Sequence, residues 1–390
     1  MKIIRICFCV AVAIVVIMVV VFAVRNDRSY GEMHNGIKTR IESFFDSLPF
    51  DSFFKESFHN YLRATSRAHF NEVTFLTDGR LMSDTQKKRV FFYERADEIL
   101  NMYEYLQETG TPFLYVRIPN KLQDNSVLPI AFSNNTFIES ADYLVSILED
   151  NGVDVLDLYV EMHRDGVDFY SAYFNGDHHW TAETSLWAFG KIGEFVNREY
   201  GYNLSEKTWD PQQHDFITFE QAFLGEESES VYALNNYENI TFVVPKFTTA
   251  HDVFELTEEN YMGHLVSGSF TDVFTPMVKN EYAERILYHE FNVMQWYRSF
   301  NRYINPEASE KKKILFIADS MGWPLGPQFA VGFETVDNFY LVPRANYRVW
   351  SAIDKYDYDL VVFALSDGVL AYEDSDLFVE DRVFLGRPWD

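Results

Sequence analysis

The stretch Lys313-Ile-Leu-Phe-Ile-Ala-Asp-Ser320-Met-Gly322 decides the fold class. Its residues 314–318 form a short, uninterrupted apolar run, which is typical of a strand buried on both faces of a parallel sheet. The run leads directly into a serine and then a glycine. Because α/β sheets place their sites at the carboxyl ends of parallel strands, Ser320 is a candidate nucleophile. The turn after it could present backbone N–H groups to an oxyanion.

Further apolar runs of this kind alternate with helical patterns. The predicted strands are residues 113–118, 155–158, 336–341 and 360–365. Helices are predicted over about 90–106, ended by Gly110, around 143–148 with Gly152 beyond, and after Gly322. The alternation predicts an α/β fold in which helices flank a mostly parallel sheet. Residues 204–300 are irregular and rich in aromatic side chains, and we expect an insertion or lid there.

The segment before the first strand predicts smaller elements. Asp78-Gly79 lies between short apolar runs at 73–76 and 81–82, which predicts a hairpin because Asp-Gly tolerates the positive φ angles of a tight turn. Ser83 and Gln86 form a capping-box pattern for the helix that follows. We expect residues 29–69 to be a helical linker and residues 70–390 to form the main domain.

The second stretch with chemical potential is Tyr170-Ser-Ala-Tyr-Phe-Asn-Gly-Asp-His-His-Trp180. Residues i and i+2 of an extended segment point to the same side, so Asp177 can accept the ring N–H of His179. Such a contact fixes the tautomer and orientation of an imidazole, as the acid of a Ser-His-Asp triad does. Serine needs a neighbouring base, and among the ten histidines His179 is the best candidate for Ser320.

Each motif taken alone has an ordinary structural explanation. A strand followed by Asp-Ser-x-Gly is also the pattern of a turn with a capping serine. Asp-x-His is also compatible with a surface loop. The two motifs together favour the catalytic interpretation.

At this point the sequence resembles the DHHW family, in the alginate O-acetyltransferase-like branch of the SGNH hydrolase superfamily. The residues Asp177-His178-His179-Trp180 match the family's signature. Residues 76–81 resemble its early hairpin, residues 118–121 the loop after its first strand, and residues 316–320 its nucleophile segment. The resemblance spans about residues 70–370, and the order of the two motifs along the chain agrees with that branch.

The resemblance implies an SGNH-hydrolase-like sheet and a role for each matched residue. Ser320 would be the nucleophile, His179 the general base and Asp177 its partner, with Trp180 beside the substrate. Ala318 stands where glycine is common in the family. No asparagine is assigned to the oxyanion role, and only the backbone N–H of Ser320 is assigned as a donor. Arg344 could contact a sugar or a carboxylate, or could be a surface arginine at the start of a helix.

The N-terminus predicts a membrane anchor. Residues 6–24 form an apolar run of nineteen residues between Lys2 and Arg5 on one side and Arg25 on the other, long enough to cross a membrane as a helix. We expect residues 1–28 to be an uncleaved single-pass transmembrane anchor with a short cytoplasmic tail, and the rest of the chain to lie outside the cytoplasm. Cys7 and Cys9, the two cysteines, are both within this run, which excludes disulfides, a catalytic thiolate and zinc–thiolate sites elsewhere.

The net charge of the chain argues against nucleic acid as a partner. With 33 lysines and arginines against 59 acidic residues, the formal net charge is −26, which repels phosphate backbones. We expect no nucleic-acid partner, no cofactor and no metal. The resemblance implies a cell-surface or secreted polysaccharide as substrate and a membrane-bound acyltransferase as the acetyl donor. Acetyl transfer and deacetylation stay open, because the same triad serves both.

Two alternatives compete with this interpretation. Asp177-His178-His179 also spells the motif of DHH-type metal phosphoesterases, which would require further aspartates such as Asp154, Asp157 or Asp165 to hold two cations. A non-catalytic carbohydrate-binding protein is the other alternative, because aromatic rings stack on sugars.

Overall fold

The computed structural model describes residues 51–83, 92–132, 137–256, 262–276, 286–287, 300–340 and 349–370. The predicted anchor (residues 6–24) and Arg344 lie outside the described residues. The chain divides into two compact units, Met1–Phe58 and His59–Asp390, and the sheet and the candidate site belong to the second. Among the described helices, none is long and apolar enough to cross a membrane.

The elements of the first half follow in chain order. They are α1 Asp51–Ala64, β1 His69–Phe70, β2 Val73–Phe75, β3 Leu81–Ser83, α2 Phe92–Thr109, β4 Phe113–Ile118, α3 Phe137–Asp150, β5 Asp154–Asp157, α4 Leu158–Asp165, α5 Phe169–Ala172 and α6 Ala182–Glu199. The predicted hairpin is confirmed, because β2 and β3 pair antiparallel around Gly79, whose φ is +97°. The strand predicted at 155–158 ends one residue early, since the Asp157 carboxylate accepts the N–H groups of Tyr159 and Val160 and starts α4.

The second half contains the remaining strands and helices. They are β6 His214–Leu224, α7 Glu226–Ser230, β7 Glu238–Pro245, β8 His251–Leu256, β9 Met262–Gly268, α8 Phe270–Val273, β10 Ile286–Leu287, β11 Phe300–Ile304, β12 Glu310–Ala318, α9 Leu325–Gly332, β13 Phe333–Tyr340, α10 Val349–Lys355, β14 Leu360–Ser366 and α11 Asp367–Leu370. A 3₁₀ turn at Ser320–Gly322 separates β12 from α9.

Eight strands form the central sheet in the order β5-β4-β14-β12-β13-β11-β8-β9. The first five run parallel, and β11, β8 and β9 add antiparallel pairs at one side. The predicted mostly parallel sheet is therefore confirmed. The described part of the predicted insertion (204–300) is built largely of strands: β8 and β9 extend the central sheet, whereas β6, β7 and β10 form a separate small sheet.

The sheet separates two hydrophobic cores, and alternate residues of each buried strand face opposite cores. In β12, Phe316 lies in one cluster with residues of α4, α6 and α9, whereas Ile317 lies in the other with residues of α2, α3 and α10. The side-chain period of a strand is two, so a continuous apolar run fills both cores at once. This burial fixes the plane of the sheet and with it the carboxyl edge where the loops meet.

A buried arginine ties that edge together. Arg117 of β4 is 1% exposed, and it donates to Asp367 after β14 at 2.9 and 3.0 Å, to Asp157 at the end of β5 at 3.0 Å and to Asp142 of α3 at 2.7 Å. A buried guanidinium needs such acceptors, because an unpaired charge inside a protein is very costly. The ends of three neighbouring strands are held in register as a result.

Candidate active site

The loop between α5 and α6 holds Asp177 and His179 in direct contact. Asp177 Oδ1 lies 2.6 Å from His179 Nδ1 and also accepts the backbone N–H of His179 at 3.0 Å. Both side chains are buried. A bridge between Tyr173 and Trp180 closes the loop, and Thr181 caps the N-terminus of α6 immediately after it. The contact predicted from the i, i+2 spacing is confirmed.

Further backbone contacts fix Asp177. Its second carboxylate oxygen, Oδ2, accepts the N–H of Glu226 at 2.9 Å. Its backbone carbonyl accepts a hydrogen bond from Lys121 Nζ at 2.6 Å. With both carboxylate oxygens engaged, the plane of the carboxylate is set, and this in turn sets the plane of the His179 ring.

Lys121 joins three segments beneath this loop. The side chain is buried, and Nζ donates to the carbonyls of Leu81 at 2.5 Å and Phe174 at 3.0 Å as well as to that of Asp177. Burial lowers the pKa of Lys121, and nearby carboxylates oppose that shift. The loop after β4, the β2–β3 hairpin and the Asp177 loop are thus held together by one cation.

The small sheet of the predicted insertion braces the same loop. Glu238 of β7 accepts the N–H groups of Asn175 and Gly176, each at 2.7 Å. A Cβ added at Gly225 would lie 2.1 Å from the carbonyl oxygen of Gly176 and 2.5 Å from Cβ of Asp177, so only glycine fits there. The described part of residues 204–300 therefore supports the site from the side.

Ser320 begins the turn after β12. The Asp319 carboxylate accepts the N–H groups of Met321 at 2.9 Å, Gly322 at 3.3 Å and Ser366 at 2.7 Å, which ties the turn to the end of β14. Asp319 is buried, whereas Ser320 is partly exposed. Burial raises the pKa of Asp319, and these hydrogen bonds oppose that effect. The turn presents Ser320 outward from a rigid base.

Ser320 and the Asp177–His179 pair lie at the carboxyl edge of the same sheet. β12 and β4 flank β14, and all three strands are parallel. A Cβ added at Gly322 would be 3.6 Å from Cδ1 of Ile118, so the serine turn packs against the end of β4. The loop after β4 contacts the histidine loop through Lys121. Asp177 and His179 are in direct contact. For Ser320, the structure shows that it lies at the same edge of the sheet.

Trp180 is fully buried, with 0% exposure, within the core cluster that also contains residues of α6 and α9. Its ring is enclosed by core side chains. Trp180 directly follows His179 in the chain, and its buried ring anchors the loop in the core.

Burial and the neighbouring charges have opposing effects on the pKa values of Asp177 and His179. Burial works to raise the pKa of Asp177, but the contact with His179 and the nearby His178 hold it well below its usual range. Burial lowers the pKa of His179, and His178 lowers it further, whereas Asp177 works to raise it. At neutral pH these directions describe a carboxylate beside a neutral imidazole, which is the resting state of a general base.

The fit to a metal centre depends on which atoms are already engaged. Ligand atoms of Asp177, His178 and His179 lie within 4.8 Å of one another. His179 Nδ1 faces Asp177, and His178 Nδ1 faces Glu227 at 3.2 Å. A proton shared between an imidazole and a carboxylate takes the place that a metal ion would occupy between them.

The three aspartates that a two-metal site would recruit are bound elsewhere. Asp154 accepts the hydroxyl of Tyr200 at 2.8 Å, and Asp165 lies 2.6 Å from Lys191 Nζ. Asp157 caps α4 and pairs with Arg117. These contacts favour a purely organic site over the metal phosphoesterase alternative.

Two candidate functional residues, Glu227 and Asn120, were not predicted from the sequence. Glu227 belongs to the acidic run at residues 226–229, which looks like a solvated surface, yet its side chain is 1% exposed. Asn120 follows β4 at the carboxyl edge. Its Oδ1 accepts the N–H of Leu122 at 2.9 Å, whereas its Nδ2 is buried without a hydrogen-bond partner among the described residues. The position of Asn120 directly after a buried parallel strand was the signal available for it.

Comparison with solved structures places the fold. PatB1 of Bacillus cereus, solved with a sulfonyl adduct, matches with a TM-score of 0.63 and 14% identity over 79% of this chain and 97% of that chain. Another PatB1 structure matches with a TM-score of 0.59 and 14% identity over 76% and 96%. A DHHW family protein from Eubacterium siraeum matches with a TM-score of 0.59 and 14% identity over 81% of this chain and 97% of that chain.

The chain has the fold of a DHHW family protein. At this identity the likeness concerns the fold, and it confirms at that level the resemblance drawn from the motifs. No protein-family profile and no curated protein sequence matches the chain.

Proposed function

We propose that this chain is an SGNH-type acyl-serine enzyme that acts on a polysaccharide outside the cytoplasm. In this proposal Ser320 is the nucleophile, His179 the general base and Asp177 the carboxylate that orients it. The observation that carries it is the buried 2.6 Å contact between Asp177 Oδ1 and His179 Nδ1. Because Nδ1 faces Asp177, Nε2 is the ring nitrogen that exchanges the catalytic proton.

The first half of the reaction forms an acyl-enzyme. Ser320 Oγ attacks the acetyl carbonyl carbon while His179 Nε2 takes the hydroxyl proton. The tetrahedral intermediate then collapses, the bond to the leaving oxygen breaks, and the imidazolium returns its proton to that oxygen. Asp177 stays ionised throughout and stabilises the imidazolium.

The second half uses the same groups in reverse. His179 takes a proton from an attacking hydroxyl, whose oxygen forms the new bond to the acetyl carbon, and Ser320 leaves with the proton returned by His179. A sugar hydroxyl as attacker gives O-acetyl transfer, and water gives hydrolysis. The residues of the site are the same in the two cases.

The oxyanion would be held at the carboxyl edge by two donors. The N–H of Ser320 is one, because the Asp319 carboxylate takes the next two N–H groups of the turn but not this one. Asn120 Nδ2 is the second, since it is a buried donor without a partner among the described residues, on the loop after β4. Donors fixed in advance act more strongly than water, since they need no reorganisation.

The comparisons support the reaction class. The fold matches a DHHW family protein, and the chain carries the four residues of that name at the loop that holds the pair. PatB1, of the same fold, was solved with a sulfonyl adduct, which makes sulfonyl reagents a suitable probe here. The extracytoplasmic location rests on the apolar run at residues 6–24, and a membrane-bound acyltransferase is the proposed acetyl donor.

Covalent labelling tests the nucleophile. The full-length chain is treated with a fluorophosphonate or a sulfonyl fluoride, and the adduct is located by mass spectrometry. Labelling is expected at Ser320 and is lost in Ser320→Ala and His179→Ala. Ser146→Ala, which removes an exposed serine of α3, is the matched control and should label normally. Undiminished labelling of Ser320→Ala would remove Ser320 as nucleophile, and a folded wild type that never labels would favour the carbohydrate-binding alternative.

Acetate release from an activated acetyl ester tests the remaining alternatives. Release should be abolished in Ser320→Ala and unaffected by a chelator. Activity that is lost to chelator and restored by manganese would instead support the metal phosphoesterase. Adding candidate glycans and measuring both acetate and acetylated sugar separates transfer from hydrolysis, because only transfer moves the acetyl group onto the glycan.

A further inference from the structure

His178 lies between the two members of the pair in sequence but contacts a different acid. Its Nδ1 is 3.2 Å from Oε1 of Glu227 in α7. Its ring lies against that of His179, with centroids 4.0 Å apart and planes inclined by 35°. Any charge on His178, whose side chain is 32% exposed, therefore acts on His179 at short range.

The charge of the buried carboxyl group of Glu227 depends on its neighbours: burial works to raise its pKa, but His178 above all lowers it. The carboxyl group is 1% exposed and also accepts the hydroxyl of Ser83. A buried carboxylate without a positive partner is strongly destabilising. Lys121 is another buried cation that acts on Glu227, but its Nζ donates to three backbone carbonyls. His178 is the basic side chain in direct contact with Glu227.

The charged groups that act most strongly on His178 are acidic. Glu226 of α7 lies 3.8 Å from His178 Nδ1 and is partly exposed, and Asp177 acts from the same loop. Glu238 of β7 lies beneath the loop at Asn175 and Gly176, and burial raises its pKa. Burial works against a charged His178, but Glu227 outweighs it and raises the pKa of His178 to about 9.

A carboxylate that orients a histidine also favours protonation of that histidine, which prevents it from acting as a general base. Asp177 stabilises the imidazolium form of His179, and a protonated His179 cannot take the serine proton. A fixed positive charge against the ring opposes this effect. We propose that His178, held as an imidazolium by Glu227, is a positioning residue that keeps His179 in its neutral, proton-accepting form.

The inference deepens the proposed function, since a neutral base is useful only if His179 acts as one. Its test does not depend on activity. In the full-length chain labelled with ¹³C at histidine Cε1, the ten histidine signals are followed by NMR as pH changes, and loss of a signal in His178→Asn or His179→Gln assigns each residue. In the wild type, His178 should be protonated at pH 7 while His179 is neutral. A neutral His178 at pH 7 overturns the proposal.

His178→Asn tests the effect on His179. Asparagine can still donate to Glu227 from near the Nδ1 position, so the charge is lost while the hydrogen bond is kept. The titration midpoint of His179 should move to higher pH, because the lowering effect of His178 is removed while Asp177 and Glu227 still work to raise the pKa of His179 against burial. His163→Asn, in α4, is the control and should leave that midpoint in place. An unchanged or lower midpoint in a folded His178→Asn protein contradicts the proposal.

Glu227→Gln gives an independent measurement should His178→Asn fail to fold. The His178 midpoint should fall, while Glu229→Gln, which removes an acid from the same helix, should change it less. A His178 midpoint equal to that of wild type in Glu227→Gln overturns the proposal. Covalent labelling distinguishes failure of this inference from failure of the proposed function. If His178 and His179 titrate as expected but Ser320 is not labelled at any pH, the inference about His178 stands and the proposed acyl-serine chemistry is wrong.

Discussion

Asp177 Oδ1 accepts two hydrogen bonds from the same residue, the backbone N–H of His179 at 3.0 Å and its ring Nδ1–H at 2.6 Å. The double contact fixes both the position of the loop and the tautomer of the ring. Oδ2 is held by the N–H of Glu226 at 2.9 Å, so the carboxylate cannot rotate away. The consequences for activity can be measured by changing each part in turn.

Asp177→Asn should abolish most activity while the fold persists. An amide can fill the same space, but it is neutral. With its NH₂ group toward Nδ1 it forces the ring proton onto Nε2, and with its oxygen there it no longer stabilises the imidazolium that forms when His179 takes the serine proton. In serine proteases the corresponding change costs on the order of 10⁴-fold in kcat. The measurement is kcat for acetate release from an activated acetyl ester. Asp210→Asn, at a distant 3₁₀-turn cap where asparagine also caps well, is the control. Near-normal kcat in Asp177→Asn would show that the pair is structural only.

The acid limb of the pH–rate profile should lie below the ordinary histidine pKa of about 6.5. Burial and then His178 lower the pKa of His179, so more acid is needed to protonate the base. Activity is present above the His179 pKa and is lost as pH falls through it. The measurement is kcat/KM against pH, which reports the free enzyme. A limb at or above pH 6.5 would mean that the influence of Asp177 dominates.

Asn120→Ala should reduce kcat with little effect on folding. Removal of one oxyanion donor typically costs about 10²–10³-fold. Nδ2 has no partner among the described residues, and Oδ1 accepts only the Leu122 N–H at 2.9 Å there, so the truncation breaks few structural contacts. Asn120→Asp is a useful companion, because it keeps the shape and removes the donor. Wild-type kcat in both variants would exclude Asn120 from the oxyanion site.

Gly225→Ala should destabilise the protein and displace Asp177, although Gly225 itself takes no part in the chemistry. The new Cβ would come within 2.1 Å of the Gly176 carbonyl oxygen and 2.5 Å of Asp177 Cβ, so backbone must move. Overpacking of this kind costs about 1–3 kcal/mol, and kcat should fall with it because Asp177 shifts. The free energy of unfolding is measured by urea titration. At Gly368 an added Cβ meets Ser366 Oγ at 3.6 Å, an ordinary contact, so Gly368→Ala is the control. Equal stability of the two variants would contradict the packing argument.

The central sheet was predictable because its signals are local. The run at 314–318 alternates between the two cores simply because successive side chains of a strand point to opposite faces, and a run that is apolar throughout must be covered on both sides. The strand at 113–118 was predicted with the observed bounds for the same reason. Boundaries set by a single cap, such as Asp157 at the start of α4, shifted by a residue.

The sequence by itself determined the α/β class, the carboxyl edge on which Ser320 lies and the contact of Asp177 with His179, since strand period and i, i+2 spacing operate over a few residues. Only the tertiary structure decided what surrounds that contact. Glu227, Glu238 and Gly225 come from a segment that follows later in the chain: Glu227 is 49 residues after His178, and Glu238 is 63 residues after Asn175. Charge and steric effects depend on distance in space, so an acidic run that looks solvated in the sequence supplies a buried carboxylate against His178.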